Sequence, residues 1–222
     1  MNKRIILASN SPRRRELLAN IGLEFSVIAD NTPEPVPENA SPENTVTFLA
    51  GFKGENVIKG LEENENAVVI AADTVVAIDG KILGKPHSVQ EAETMLKTLS
   101  GRMHCVYTGV YVKDLCTKKS KSFCEKTEVF FKNLDIETIK DYINTGEPMD
   151  KAGAYGIQNL GSLFVERING DYFNVVGLPV PKLGEVLSKD FGICVLTNYI
   201  KELFLWQTKS VFKLELPIQL YI

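Results

Sequence analysis

Residues 6–18 read ILASNSPRRRELL, an apolar run that passes through small polar residues into three consecutive arginines. The apolar run, residues 4–8, predicts a short buried strand. Ser11 is a typical helix N-cap and Pro12 is a typical first helical residue, so a helix is expected to start directly afterwards. This strand–loop–helix unit is typical of the start of an α/β fold.

Apolar runs and helical patterns continue to alternate along the rest of the chain. The predicted strands are residues 25–28, 67–72, 75–78, 81–83, 103–113, 123–132, 163–168 and 172–176. The predicted helices are residues 42–61, 88–99, 135–144 and 181–188. Neither a repeat nor a linker divides the sequence, so we expect one α/β domain around a mixed sheet.

Composition excludes several classes of protein. The chain has 222 residues and a formal net charge of -3, which argues against a broad basic surface for a nucleic-acid polymer. Four cysteines without a C-x-x-C pair, and only two histidines, argue against a zinc site. The sequence has neither a signal-peptide pattern nor an apolar run long enough to span a membrane, so we expect a soluble, cytoplasmic protein.

The segment SNSPRRR, residues 9–15, has the chemistry of a phosphate-binding site. A helix N-terminus presents unpaired N–H groups and the positive end of the helix dipole. Ser9 and Ser11 add hydroxyls, and Arg13 and Arg14 add forked donors that match phosphate geometry. For such a motif in isolation, a capped surface helix with solvated arginines is the favoured alternative.

Four charged residues elsewhere are candidates for the same site. Asp73 follows the apolar residues 67–72, and ligands of open α/β sheets collect at the carboxyl ends of strands. A carboxylate there can hold Mg²⁺ or take a proton from water, although a turn aspartate is the alternative. Lys53, Lys85 and Glu34 fit the same chemistry, but each alone is also compatible with plain surface.

Residues 147–158, EPMDKAGAYGIQ, hold too few aliphatic side chains for a strand and too many glycines for a helix. Gly153 and Gly156 would let the backbone approach a ligand closely. Tyr155 offers a stacking face, and Gln158 offers a paired donor and acceptor for the edge of a base. The alternative is a long exposed turn.

Several motifs occur in order along the chain. They are S-x-S-P-R-R, A-D-T, L-G-K-P, S-G-R-x-H-x-V-x-T, E-P-x-D-K-A-G-A-Y-G-I-Q and G-D-Y-x-x-V-x-G-L-P. Together they resemble the Maf family of nucleoside triphosphate pyrophosphatases, over residues 3–190. The resemblance implies an α/β fold of two lobes around a twisted mixed sheet with a central nucleotide-binding cleft, like that of inosine triphosphate pyrophosphatases.

The resemblance also implies a function and a domain division. It implies hydrolysis of a nucleoside triphosphate to the monophosphate and pyrophosphate, with a divalent metal cation, Mg²⁺ or Mn²⁺. Residues 1–190 are then the Maf-like domain, and residues 191–222 are an apolar C-terminal extension of unknown role. We expect this extension to dock on its own domain or on a second subunit, and a homodimer is an open alternative to a monomer.

Within the family, the residues resemble the branch that acts on dTTP and UTP. Arg13 follows Ser-Pro, Thr74 follows Asp73, and Gln158 ends the G-I-Q triplet. The branch that acts on 7-methyl-GTP has Trp and Asp-Gln at the first two places. One departure is FKGEN, residues 52–56, where relatives more often have Lys/Ala-rich sequence. It removes positive charge near the site, which bears on affinity rather than on chemistry.

The resemblance assigns a role to each candidate. Asp73 is the expected proton acceptor, Glu34 and Asp73 the expected metal ligands, and Lys53 and Lys85 the expected partners of the leaving pyrophosphate. Arg13, Thr74 and Gln158 are the expected specificity residues. The expected phosphate ligands are Ser9, Ser11, Arg13 and Arg14.

Two alternatives stay open at this point. A non-catalytic nucleotide-binding regulator of septation would keep the phosphate site but would not need Asp73. A pyrophosphatase for another modified nucleotide, such as 7-methyl-GTP, would need Asp73 but a different base site.

Overall fold

The computed structural model describes residues 3–35, 37 and 40–196. Its strands are β1 (Arg4–Ala8), β2 (Ser26–Val27), β3 (Ala67–Ile78), β4 (Lys81–Leu83), β5 (Met103–Asp114), β6 (Ser120–Phe131) and β7 (Val165–Asn169). Its α-helices are α1 (Pro12–Asn20), α2 (Pro42–Ile58), α3 (Val89–Leu99), α4 (Ile136–Asn144), α5 (Tyr172–Val176) and α6 (Val180–Phe191). Three short 3₁₀ helices span Glu147–Asp150, Ala152–Ala154 and Leu160–Phe164.

The strands form one mixed sheet in the order β2-β1-β3-β5-β6-β7, and β4 pairs with β3. β1 is parallel to both β2 and β3, whereas the β3–β5, β5–β6 and β6–β7 pairs are antiparallel. The predicted α/β domain around a mixed sheet is therefore confirmed. Among the described residues, no helix is both long and apolar enough to cross a membrane.

Helices cover both faces of the sheet because side chains of β3 alternate between them. Val69 and Ala71 point to the face covered by α2. Val68 and Ile70 point to the other face, where they join a core built with α1 and α6. Further along that second face, Val76 and Ile78 join a separate core with α3 and α4. The two cores of the second face are the centres of two lobes that share one sheet.

The local helix signals in the sequence are confirmed. Ser11 caps α1 by accepting the backbone N–H of Arg14, and Pro12 is the first helical residue. Ser41 and Ser88 cap α2 and α3 in the same way. These caps satisfy backbone donors that a helix start leaves free, so they fix where each helix begins.

The division of residues 67–78 into two strands with a break at Asp73 is wrong. β3 is continuous, and Asp73 pairs with Gly109 and Thr74 with Thr108 across the β3–β5 ladder. The long β5 supplies partners for all but the first and last residues of β3, so the strand does not end where β1 ends. β1 stops at Ala8, opposite Ala71, which leaves Asp73 just beyond the carboxyl end of that neighbour.

The predicted strand at residues 172–176 is also wrong, because this segment is the helix α5. The Asp171 carboxylate accepts the Phe173 N–H at 2.8 Å and so starts a helix. The buried Asn174 then donates to Val106 O at 3.1 Å and to Thr127 Oγ1 at 2.9 Å, which fixes the segment on β5 and β6. Tertiary hydrogen bonds thus override the strand propensity of Tyr, Phe and Val.

Smaller differences concern the bounds of elements. The strand predicted at residues 25–28 is only Ser26–Val27, the helix predicted to reach residue 61 ends at Ile58, and the strand predicted from residue 163 starts at Val165. α6 runs to Phe191, and the buried Ile193 packs into the core between α1 and α6. Beyond residue 196, the C-terminal extension lies outside the described residues.

Candidate active site

A cavity of about 580 Å³ opens at the carboxyl ends of β1 and β2. It is lined by residues 8–14, residues 29–34, Lys53, Lys85 and Asp150. Residues 8–14 contain the loop and first turn of α1, so the start of this helix and the positive end of its dipole lie at the cavity. The predicted phosphate segment, Lys53, Lys85 and Glu34 are therefore brought together.

Lys53, which lines this cavity, links two carboxylates: Glu34 lies in the lining, whereas Asp73 lies behind Lys53 and is not a lining residue. Its ammonium nitrogen lies 3.0 Å from Glu34 Oε1 and 2.5 Å from Asp73 Oδ1. Asp73 comes from β3, Lys53 from α2 and Glu34 from the loop after β2, so three separate segments converge here. The side chain of Asp73 is only 11% exposed, whereas that of Glu34 is 47% exposed. The cluster thus runs from the protein interior to solvent.

The same two carboxylates fit a divalent metal. They already converge on one cation, the ammonium of Lys53. Mg²⁺ is usually held by one or two carboxylates together with substrate phosphates and water. Across the described part of the chain, no group of three His, Cys, Asp or Glu side chains could form a protein-only metal site. The donors therefore suit a metal shared with a triphosphate.

Arg14 is buried and bonded to the protein on three sides. Its guanidinium donates to Gly177 O at 2.8 Å, to Ser9 Oγ at 3.3 Å and to Thr74 Oγ1 at 3.0 Å. Burial lowers the pKa of this guanidinium from its ordinary value, and the nearby charge of Asp73 opposes that shift. Two of the five N–H groups of an arginine are left for phosphate after these bonds.

Thr74 lies on the opposite side of β3 from Asp73, as strand alternation requires. Its hydroxyl accepts from Arg14 and is 2.9 Å from Thr108 Oγ1. Thr74 does not line the cavity. Any effect of Thr74 on a ligand in this cavity would therefore act through Arg14, whose guanidinium it helps to position.

A second cavity, of about 540 Å³, adjoins the first. Its lining consists of Pro12, Arg13, Glu16, Asp150, Lys151, Gln158, Asn159 and Tyr172. Pro12, Arg13 and Asp150 line both cavities, and the Arg13 guanidinium lies 3.5 Å from the Asp150 carboxylate between them. Gln158 thus lies beside the first cavity, at the far side of Arg13, rather than within it.

The pair Asp150 and Lys151 was missed in the sequence. Lys151 is buried and donates to Glu147 O and to Asp150 Oδ1, both at 2.7 Å. Burial would raise the pKa of Asp150, but the bond from Lys151 and the charge of Arg13 outweigh it and hold the pKa below its usual value. The signal available was an Asp-Lys pair inside a segment otherwise rich in small residues.

Tyr155 is not a stacking face, and residues 147–158 are not an exposed turn. Tyr155 is 5% exposed, its hydroxyl lies 2.8 Å from His104 Nε2, and its ring packs edge-on against Phe131. Gly153, at φ +68°, has no room for a Cβ because Val76 would lie 2.9 Å away. At Gly156 a Cβ would meet Lys151 at 2.7 Å. These glycines permit close packing within the protein.

With this geometry established, comparison with known proteins identifies the family. The family model described as Maf-like protein matches residues 4–190, and the chain belongs to the Maf family. The resemblance inferred from the motifs is confirmed.

Curated relatives are similar over most of their length. The chain is 50% identical to a dTTP/UTP pyrophosphatase of Caldanaerobacter subterraneus subsp. tengcongensis, over 86% of this chain and 90% of that protein. It is 51% identical to a dTTP/UTP pyrophosphatase of Bacillus velezensis, over 87% of this chain and 99% of that protein. A solved structure of a HAM1 protein from Coxiella burnetii covers 85% of this chain and all (100%) of its own, with 16% identity and a TM-score of 0.47. That similarity is too low to bear on fold or function.

Proposed function

We propose that this protein is a nucleoside triphosphate pyrophosphatase that hydrolyses dTTP and UTP to the monophosphate and pyrophosphate. The observation that carries the proposal is the cluster in which Lys53 joins Glu34 and Asp73; Lys53 and Glu34 line a cavity at the N-terminus of α1, and Asp73 lies directly behind Lys53. Membership of the Maf family supports it, as do the names of relatives about 50% identical.

The triphosphate binds in the first cavity. Ser9 Oγ accepts the Ser11 N–H at 3.2 Å, and Ser11 Oγ accepts the Arg14 N–H. Each hydroxyl keeps its O–H as a donor for a phosphate oxygen. Arg13 adds a partly exposed guanidinium. Arg14 positions the loop between β1 and α1 through its bonds to Ser9 and Gly177.

Hydrolysis requires a water to attack the α-phosphorus, a base to take its proton, and cations to stabilise the departing pyrophosphate. Asp73 takes that proton. Lys53 and Lys85 offset the negative charge that develops on the bridging oxygen of the leaving group, which is how phosphoryl transfer is mainly accelerated. Glu34 and Asp73 would hold a divalent metal, Mg²⁺ or Mn²⁺, which when bound neutralises phosphate charge.

The base of the nucleotide lies in the second cavity. Gln158 reads its edge with an amide that both donates and accepts, which suits the alternating carbonyl and N–H groups of uracil and thymine. Arg13 lies between the phosphate and base sites, and Thr74 contributes by holding Arg14. Since nucleoside triphosphates are consumed in the cytoplasm, we place the enzyme there.

The test is a product analysis with the purified full chain. Chromatography should detect monophosphate and pyrophosphate, and no diphosphate, from dTTP and UTP well above dATP, dGTP and 7-methyl-GTP. Equal turnover of purine and pyrimidine triphosphates would contradict the specificity. Tight nucleotide binding with no pyrophosphate release would instead favour a non-catalytic regulator.

A further inference from the structure

The second cavity is lined by an aromatic side chain, that of Tyr172, in addition to the groups that bind the edge of a base. Tyr172, the first residue of α5, lines that cavity together with Gln158 and is 40% exposed. It is the only aromatic residue among the described residues that line either of the two cavities. An aromatic ring that lines a polar cavity and remains open to solvent is available to a ligand.

The segment around Tyr172 is held firmly. The Thr127 hydroxyl donates to Asp171 O at 2.9 Å and accepts the Asp171 N–H at 3.0 Å. Asn174, two residues on, is fully buried and bonded to β5 and β6. The ring of Phe173 meets that of Tyr172 edge-on, at 5.8 Å between centroids. These contacts fix the backbone that presents Tyr172, and a fixed ring stacks at a lower entropic cost.

The two cavities together have the arrangement that a nucleotide requires. They share Pro12, Arg13 and Asp150, so a ligand with its phosphates in the first cavity extends its remaining part into the second. There the amide of Gln158 can meet only the edge of a base. Aromatic side chains bind the face of a base, and Tyr155 is too buried to do so.

We propose that Tyr172 is the stacking platform for the nucleobase and a specificity-determining residue of this site. The inference rests on the proposed function for the identity of the ligand as a pyrimidine nucleotide. The ring of Tyr172 covers the face of the base while Gln158 reads its edge. Affinity for nucleotides then depends on Tyr172, whereas affinity for phosphate chains does not.

The test is calorimetric binding of two ligands to the full chain in the presence of Mg²⁺. One ligand is the hydrolysis-resistant α,β-imido analogue of dUTP, and the other is inorganic tripolyphosphate, which has no base. Tyr172→Ala should weaken binding of the analogue about tenfold, the typical loss of one base–aromatic stack. Binding of tripolyphosphate should change less than about twofold, and Tyr172→Phe should restore binding of the analogue.

Phe48→Ala provides a matched control, because Phe48 is an exposed aromatic residue on α2 that lines neither cavity. It should leave binding of both ligands unchanged. Unchanged affinity of Tyr172→Ala for the analogue would overturn the proposal. So would an equal loss for both ligands, since that would place the effect in the phosphate site or in folding, which circular dichroism would report.

Failure of the stacking role and failure of the proposed function give different results. If the wild-type chain fails to hydrolyse dTTP and UTP but binds the analogue in a Tyr172-dependent way, the proposed function fails and the stacking role stands. If the chain releases pyrophosphate but binds the analogue no tighter than tripolyphosphate, the stacking role fails and the function stands.

Discussion

The two adjoining cavities differ in the chemistry of their walls. The first is lined by Lys53, Lys85 and the N-terminal turn of α1, cationic groups that suit phosphate whatever nucleoside is attached. The second adds the amide of Gln158 and the ring of Tyr172, groups whose chemistry suits a base. Under the proposed function, hydrolysis and substrate selection are carried by separate surfaces that meet at Arg13.

The largest expected effect, a loss of activity that acts through the first cavity alone, is that of chelating the divalent metal. Excess EDTA should abolish pyrophosphate release from dTTP, because Glu34 and Asp73 add negative charge beside the triphosphate, and a divalent cation is expected to offset it. Mg²⁺ or Mn²⁺ added in excess of the chelator should restore release. Full activity in EDTA, with metal removal verified by elemental analysis, would remove the metal from the mechanism.

Replacing the proposed base should have the next largest effect. Asp73→Asn keeps the shape of the side chain but cannot accept a proton at neutral pH, so turnover of dTTP should fall by about 10² to 10⁴. All nucleotides should lose rate equally, because Asp73 belongs to the first cavity's cluster. Asp79→Asn, in the exposed hairpin before β4, is a control that should retain wild-type turnover. Near-normal turnover of a folded Asp73→Asn protein would refute its role as base.

The two sites also differ in how far the sequence could predict them. The start of α1 is fixed by contacts between near neighbours, such as Ser11 with Arg14, so residue types alone predicted the capped helix, and the resemblance to the family added the expected phosphate-binding role. Asp73 was found as a candidate although its strand was interpreted wrongly. Its position depends on β1 ending at Ala8 while β5 continues, and pairing between distant strands leaves little trace in local sequence.

The second site depends on contacts across long separations in sequence. Tyr155 was a candidate stacking face because its segment was expected to lie open to a ligand or to solvent. The structure buries it against His104, which is 51 residues away in sequence. Tyr172 was overlooked because α5 was taken for a strand, and that helix is fixed by bonds from Asn174 to β5 and β6. Gln158 was a candidate from its amide chemistry, and the resemblance to the family then gave it a role in specificity.

A substitution in the second site should change the preference between nucleotides more than it changes the turnover of any one of them. Gln158→Ala should lower the ratio of dTTP to dATP turnover about tenfold, since a site that hydrogen-bonds a base loses discrimination without its partner. Hydrolysis of dATP itself serves as the internal control and should change little. A uniform loss for every nucleotide, measured as kcat/KM, would mean that Gln158 supports the chemistry instead.

The smallest effect on catalysis is expected at His104, a core residue whose ring is hydrogen-bonded to the Tyr155 hydroxyl. Burial lowers the pKa of His104 to about 4, below the ordinary value of 6.5. Between these two values the unfolded chain binds a proton that the folded chain does not, so stability falls as pH drops from 6.5 toward 4. The loss from this residue reaches at most about 3 kcal/mol.

His104→Gln separates this contribution from that of the carboxylates. Glutamine can retain a hydrogen bond to Tyr155 but does not titrate, so the difference in unfolding free energy between wild type and variant should change with pH only in this window. Urea denaturation at pH 7 and pH 5 measures it. Turnover of dTTP at neutral pH should stay within about twofold, because His104 contacts neither cavity. A constant stability difference from pH 7 to pH 5 would show that His104 titrates alike in the folded and unfolded chain.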